Sequence, residues 1–399
     1  MPEIMIKGRF WAEEGTIFFR NAWELPPSEA LLVSYGGYLN IVANTATLAA
    51  RWLLPLSYAP YFTILVGLLF QLCPPFLLLS ASDSWLQPLH VRLTGLLLLL
   101  FVPASEEIWL QTLHCQLELT LCCGMIVALQ TVTGPRALFR LAVLMLAPLC
   151  GPGAIALVPL FWLRAMLDRS RDRRLEAMIL TIGAVIQLSF FFHIVSERHR
   201  EYAFSPIMLL QVITARHLIL PFMGMWIAEA AARCAAVSMA KFTVILPLGV
   251  IGSLAAVTLS RRREHPAFWF LAAGLLVAAA SYFGAIGRLA QMIHPSFGER
   301  YTYVPQALFS LTALTLAANS VRRMAFYSWT AVVWLLVIGA NEFCRPWWPE
   351  ASDGPPWRHE VSAWRADPSH ILRIWPVGWT MTLAPTPDAG AARRLASSP

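Results

Sequence analysis

A long succession of apolar stretches, separated by short loops that hold most of the arginines, constrains this chain more than any other feature. Apolar residues make up 57% of the 399 positions and charged residues only 13%, so an ordinary soluble domain is excluded. At roughly 20 residues per crossing plus loops, the length holds about ten crossings and leaves no room for a second soluble domain. The expected fold is all-α, a polytopic transmembrane bundle of about 9–10 spans with interfacial helices and a short outward tail. Apolar runs place spans near 59–80, 91–104, 115–131, 138–150, 152–166, 175–195, 242–260, 267–287, 304–320 and 324–343. Residues 1–343 form one membrane domain whose first loop is 1–58. Residues 344–384 form a tryptophan-rich tail, and 385–399, rich in Pro, Ala and Ser, are expected to be disordered.

Charge sets the orientation. The net charge of +7 is carried by short clusters such as Arg169–Arg174 and Arg261–Arg263, which is a topology signal and not a nucleic-acid face. Loops 164–174, 261–263 and 322–323 are the most basic and are assigned to the cytoplasm. Parity then requires that 205–226 not cross, because a crossing would separate two of these basic loops. Pro206, Arg216, His217 and Pro221 suit an outer interfacial segment. Loops 1–58, 104–114, 196–241, 288–303 and 344–399 consequently face outward. An outward amino terminus further implies that a helix preceding Gly8 is missing, through truncation or a misassigned start.

Three outward segments hold the residues able to do chemistry. Phe10-Trp11-Ala12-Glu13-Glu14-Gly15 places two carboxylates before an amphipathic helical stretch, Thr16–Trp23. An acid pair at a helix amino terminus is by default a solvated pair favoured by the dipole. A second acidic loop shifts that balance. Glu106 and Glu107 are followed by Gln111, His114 and Gln116 at helical spacing. Polar groups entering a membrane segment cost about 2 kcal/mol or more each without partners, so these residues are expected to line a polar cavity. The third segment is Gly298-Glu299-Arg300-Tyr301, after Arg288 and His294. A boundary arginine usually snorkels to headgroups. Here Arg300 faces the same side as both acid loops, and its planar fork of donors matches phosphate oxygens.

Other features stay structural. Cys73, Cys115, Cys122, Cys123 and Cys150 lack metal or redox spacing. His193 is a lone histidine in an apolar helix, and Gly134-Pro135 and Gly151-Pro152 are breaks between helices, not phosphate loops. No metal, cofactor or nucleic acid is expected.

The combination of Arg9-Phe10-Trp11-Ala12-Glu13-Glu14-Gly15, an acidic second loop, the Gly151-Pro152 break, Gly298-Glu299-Arg300-Tyr301 and a tryptophan-rich tail resembles the GT-C superfamily of polytopic glycosyltransferases. The resemblance implies inverting transfer of a sugar from a polyprenyl-phosphate donor to a glycan, lipid or protein acceptor of the cell envelope. The setting it implies is the outer face of a bacterial plasma membrane. It makes Glu14 the closest match to the family's catalytic acid, with Glu13 as the fallback. Arg300, Tyr301 and Arg288 would bind the donor phosphate, and Glu106, Glu107, Gln111 and His114 the sugar or acceptor. Two other classes remain open: a transporter or flippase without chemistry, marked by internal repeats and mid-span charges, and a non-catalytic or decayed assembly subunit.

Overall fold

The computed structural model describes residues 2–194, 205–235, 248–250, 252, 265–284, 291–320, 322–345, 347–348 and 353–385. Arg288, Arg261–Arg263, the side chains of His193, Arg322 and Arg323, and nearly all of the expected span 242–260 and of the segment 385–399 lie outside the described residues. Among the described residues the fold is helical, and the paired strands are two-residue hairpins.

The chain opens with α1 (Pro2–Lys7), a π-helical turn (Glu14–Phe19), α2 (Arg20–Glu24) and α3 (Pro27–Leu31). The hairpin β1 (Ser34–Tyr35) and β2 (Tyr38–Leu39) precedes α4 (Ile41–Leu53). Then come α5 (Ala59–Gln71), α6 (Cys73–Ser80), α7 (Leu89–Leu100), α8 (Cys115–Ala128), α9 (Pro135–Cys150), α10 (Val158–Asp168) and α11 (Arg171–Ile194). After α12 (Pro206–Ile213) and α13 (Leu220–Ala235) come α14 (Pro266–Phe283), α15 (Arg300–Ala318), α16 (Arg322–Cys344), α17 (Trp357–Ala366), and the hairpin β3 (Leu372–Arg373) and β4 (Thr380–Met381).

By length and composition, five helical segments among the described residues can cross a membrane: Leu56–Ser80, Arg171–Phe192, Pro206–Cys234, Pro266–Phe283 and Ala325–Cys344. Helices α9 and the segment Pro152–Asp168 make a sixth if taken as one span, although they meet at 119° across Gly151. The expectation of 9–10 spans counts the whole chain, and one of those spans, 242–260, lies almost wholly outside the described residues. The rest of the difference comes partly from α7 and α8, whose 12 and 14 residues reach only about 18–21 Å, against a hydrocarbon core of about 30 Å. Helix α15 is 19 residues long and carries Gln306, Ser310, Thr312 and Thr315, all buried. It packs against α7, α8, α14 and α16 as the central post of the bundle. Leu308, Leu311 and Leu314 join Leu119, Cys122, Cys123 and Ile126 of α8 in the main core.

The segment 205–235 has the length and apolarity of a span, yet it does not run straight. Gly224 has φ 80° and ψ 172°, a break in the helix that only glycine adopts freely. Met208 on one arm and Ala232 on the other belong to one hydrophobic cluster with Met292 and Ile293. Both arms therefore return to the loop before α15. Pro206 and Pro221, read from sequence as interruptions, sit at helix starts, while Arg216 and His217 are buried within the fold instead of lying on its surface.

The tail is part of the fold. Trp357, Val361, Trp364, Leu372, Ile374 and Met381 share a core with Phe10, Phe19, Ala50, Leu56 and Ala59. The indoles of Trp357, Trp364 and Trp375 donate to the carbonyls of Leu56, Leu383 and Pro355. A backbone pairing closes the contact, with Ala12 N–H donating to Trp375 O and Trp375 N–H to Phe10 O. The buried tail tryptophans are therefore packing residues, and their faces are not open to stack on sugars.

Candidate active site

The three segments singled out from the sequence meet at the end of the bundle where α7 and α16 finish and α8 and α15 begin. The two acids of the first loop have different surroundings. Glu14 is fully buried, and one oxygen accepts from Thr112 N–H at 2.8 Å and from the Thr112 hydroxyl. The other accepts from Trp11 N–H at 3.3 Å, a reciprocal cap on the turn that begins the π-helix. Burial raises its carboxyl above the ordinary range, and the Thr112 and Trp11 donors and the Arg9 charge oppose that rise. Both oxygens are thus engaged in tying the first loop to the second. Arg9, buried over the rings of Trp11 and Trp375 at 5.0 and 5.7 Å, donates to Trp109 O and adds a second tie.

Glu13 is half-buried and makes none of these ties. Its charge reaches Tyr38 of the first hairpin, where it adds a small upward push on the phenol. Burial first of all holds the Tyr38 phenol above its usual range; Gln116 Nε2 donates to its oxygen at 3.2 Å, and Tyr301, Arg300 and Glu13 all act on it by charge. The hairpin is held rigidly. Gln187 of α11 brackets Leu39, accepting from its N–H at 3.3 Å and donating to its carbonyl at 3.0 Å, while Asn40 donates to Leu113 O at 3.0 Å. Tyr38 and Thr112 were not among the sequence candidates. The only trace of Tyr38 is the Tyr35-Gly36-Gly37-Tyr38 turn signature.

In the second loop, Glu106 is committed to the tail, accepting from Trp347 N–H at 2.6 Å and Trp348 N–H at 2.7 Å. Glu107 forms an ion pair with Arg300, in which the carboxylate is nearly buried and the arginine side chain 39% exposed. Arg300 also lies 5.2 Å from the Tyr301 ring. His114 Nδ1 lies 3.2 Å from Glu107 O, and burial, opposed by the Glu107 charge, lowers the ring to about 4. It is therefore neutral near pH 7. Gln111 Nε2 donates to Glu107 O, and its own carbonyl oxygen has no donor among the described residues.

The loop before α15 is organised by Arg216. All five of its N–H groups are used: on Met292 O at 2.7 Å, Gly298 O at 3.2 Å, Thr302 Oγ1 at 2.7 Å, His294 O at 2.8 Å and Phe297 O. Gly298 takes φ 61°, a left-handed turn that sends the chain into α15. Close approach on the other side depends on Gly67 of α5, where an added Cβ would stand 2.5 Å from Gln111 N. Ala12, Ala104 and Leu110 also have φ between 39° and 58°. Non-glycine residues in this region store strain of about 1–2 kcal/mol each, and such strain concentrates at sites of binding or chemistry.

The structure brings together Glu107, Arg300, Tyr301, His114 and Gln111, leaves Glu13 linked to them only through its charge on Tyr38, and uses Glu14 and Glu106 as scaffolding. The arrangement offers a half-exposed cation for an anionic group, a half-buried carboxylate near Tyr38, and neutral polar groups for hydroxyls. No family model, curated protein or solved structure matches the chain.

Proposed function

We propose that this chain is an integral membrane glycosyltransferase of the GT-C type, drawing its sugar from a polyprenyl-phosphate donor at the outward end of its helix bundle. The observation that carries the reading is the pairing of Arg300, beside Tyr301, with Glu107 of the second loop, close enough to Tyr38 for Arg300 and Glu13 both to act on that phenol by charge. Glu13 is the general base in this reading, because its neighbour Glu14 has both oxygens engaged by Thr112 and Trp11. It removes the proton of the acceptor hydroxyl as that oxygen attacks the anomeric carbon, and the bond from that carbon to the donor phosphate breaks. Negative charge develops on the departing phosphate. Arg300 stabilises it there, which requires Arg300 to exchange Glu107 for phosphate oxygens. Tyr38 and Tyr301 flank the reacting groups, while neutral His114 and Gln111 receive sugar or acceptor hydroxyls. The apolar helices long enough to cross a membrane supply the setting in which a prenyl chain would lie.

Transfer from a short-chain prenyl-phosphoryl sugar by purified, reconstituted protein tests the proposal. Glu13→Gln is expected to reduce transfer by roughly 10²–10⁴-fold, the usual worth of a positioned base, with thermal stability unchanged. Retention of full transfer by this variant removes Glu13 from the mechanism.

A transporter reading has one observation in its favour. Buried polar pairs occur inside the bundle, where Tyr303 donates to Glu118 at 3.0 Å and His217 lies between Tyr282 and Gln306 at 2.6 and 3.1 Å. Each of these groups is paired, which suits fixed packing better than a moving ion. Uptake of a prenyl phosphate or sugar into sealed vesicles, without any transfer, would favour that class.

A further inference from the structure

Glu299 is the residue that the mechanism above leaves unused. It is 2% exposed, and neither carboxyl oxygen has a hydrogen-bond partner among the described residues. Three other carboxyls act on it by charge: Glu106 and Glu107 from the second loop and Glu342 from the end of α16. The cation that faces it, Arg216, spends every N–H on the loop carbonyls and Thr302, so none is left for Glu299. Glu229, which with Glu299 acts on Arg216, is itself held by Ser296 and His294. Arg300, next in the chain, is paired with Glu107. Glu106 is held by the tail and Glu342 by Met225 N–H and Asn341.

An ionised carboxylate in this position would be buried among like charges without a donor, the least favourable setting a carboxyl can meet. Burial, reinforced by Glu106 and Glu107, holds Glu299 well above the carboxylate range. The neutral acid avoids the repulsion, yet its O–H then has no acceptor among the described residues. Buried donors in folded proteins are satisfied, and one that finds no partner among the described residues is open to a bound ligand.

We propose that Glu299 is a ligand-contacting residue that stands in the site as a neutral carboxylic acid and donates its O–H to an oxygen of a bound phosphodiester beside Arg300. This rests on the lipid-phosphate reading and adds a proton to it. The excess negative charge of Glu106, Glu107, Glu299 and Glu342 would repel a phosphodiester, and holding one of them neutral lowers that repulsion while supplying a donor. Binding is then linked to protonation: the ligand favours the protonated form, and loss of that proton weakens binding.

The test is the affinity of farnesyl methyl phosphate, a diester whose single charge is constant from pH 5 to 9, for the full chain in detergent across that range. Wild-type affinity is expected to fall on the alkaline side with a slope approaching tenfold per pH unit, the limit for one linked proton. Glu299→Gln, a neutral side chain that can still donate, is expected to bind with the low-pH wild-type affinity and no slope. Glu299→Leu, neutral without a donor, is expected to bind about tenfold more weakly at every pH. A Glu299→Gln variant that keeps the wild-type slope, or that loses binding at every pH while remaining monodisperse, overturns the role of Glu299 and leaves the lipid-phosphate reading standing. Absence of diester binding by the wild-type chain at any pH overturns both.

Discussion

The two ends of the helix bundle solve the problem of buried charge in opposite ways. At the end where α8 stops and α11 starts, the buried cations each lie against a carboxylate or a backbone carbonyl, although Arg164 Nη1 has no hydrogen-bond partner among the described residues. Arg173 donates to Ile126 O and Glu176 at 3.0 and 2.9 Å and to Leu129 O, and Arg164 donates to Asp168 at 2.7 Å while lying 4.6 Å from the Trp269 ring. Arg140 donates to Gln130 O, whose N–H in turn donates to Asp83. At the other end acids dominate, and Glu299 and the carbonyl of Gln111 have no partner among the described residues. A closed network is a structural device, whereas an open one is kept open for something that is not part of the chain. The contrast teaches that buried charge alone does not mark a site; a buried charged group with no partner on any of its polar atoms among the described residues, as at Glu299, does.

The sharpest way to break this contrast is at the closed end. Arg173→Ala leaves Glu176 and two carbonyls without their donor, and breaking a buried pair by removing one partner costs about 3–5 kcal/mol. Thermal unfolding in detergent should show a large loss of stability, with diester affinity unchanged in whatever protein remains folded. Loss of diester affinity without loss of stability would place that end in the site and dissolve the distinction.

A smaller effect is expected inside the acidic end itself, where Glu14 is the exception that is fully paired. Glu14→Gln presents an amide donor to the Thr112 donors and should cost about 1–3 kcal/mol of stability. Because the Glu14 carboxyl is raised in the folded state, the stability it contributes is fully present below the ordinary carboxylate range and is lost as pH rises through the raised value. The gap between wild type and variant should therefore be widest at acid pH and shrink toward alkaline pH. Unfolding midpoints measured at pH 4, 6 and 8 read this directly, and a gap that widens with pH contradicts the assigned environment of Glu14.

The smallest effect is assigned to Trp379. It is 37% exposed, unlike the other tail tryptophans that hold the tail to the first loop. Trp379→Ala should shift stability by less than about 0.5 kcal/mol, as for other surface positions. Trp364→Ala, in the same tail, should cost about 3–5 kcal/mol. Equal effects on unfolding would mean that the tail is not packed as described.

Much of this was legible in the residues. The apolar runs located most of the helices, and the Gly151-Pro152 break emerged as the 119° junction between two short helices. The second acidic loop and Gly298-Glu299-Arg300-Tyr301 meet as their shared side suggested. Sequence could not divide the work between Glu13 and Glu14, because adjacent residues on a turn point in different directions and only the donors of Thr112 decide which is engaged. It read 205–226 as an outer interfacial segment in which Arg216 was an interruption, and gave no sign that Arg216 is buried and holds a distant loop. Its five partners are almost all backbone carbonyls of a loop some eighty residues away, and carbonyls leave no mark on composition. Glu299 went unassigned for a similar reason, since the absence of a partner is a property of space and not of spacing.

A structure of the full chain bound to a prenyl-phosphoryl sugar tests the central claim most directly. The account predicts the phosphate on Arg300 at charge-assisted hydrogen-bond distance, about 2.7–2.9 Å, with Glu107 displaced from it and the anomeric carbon between Glu13 and Tyr38. A phosphate bound elsewhere, with Arg300 still paired to Glu107, would contradict it.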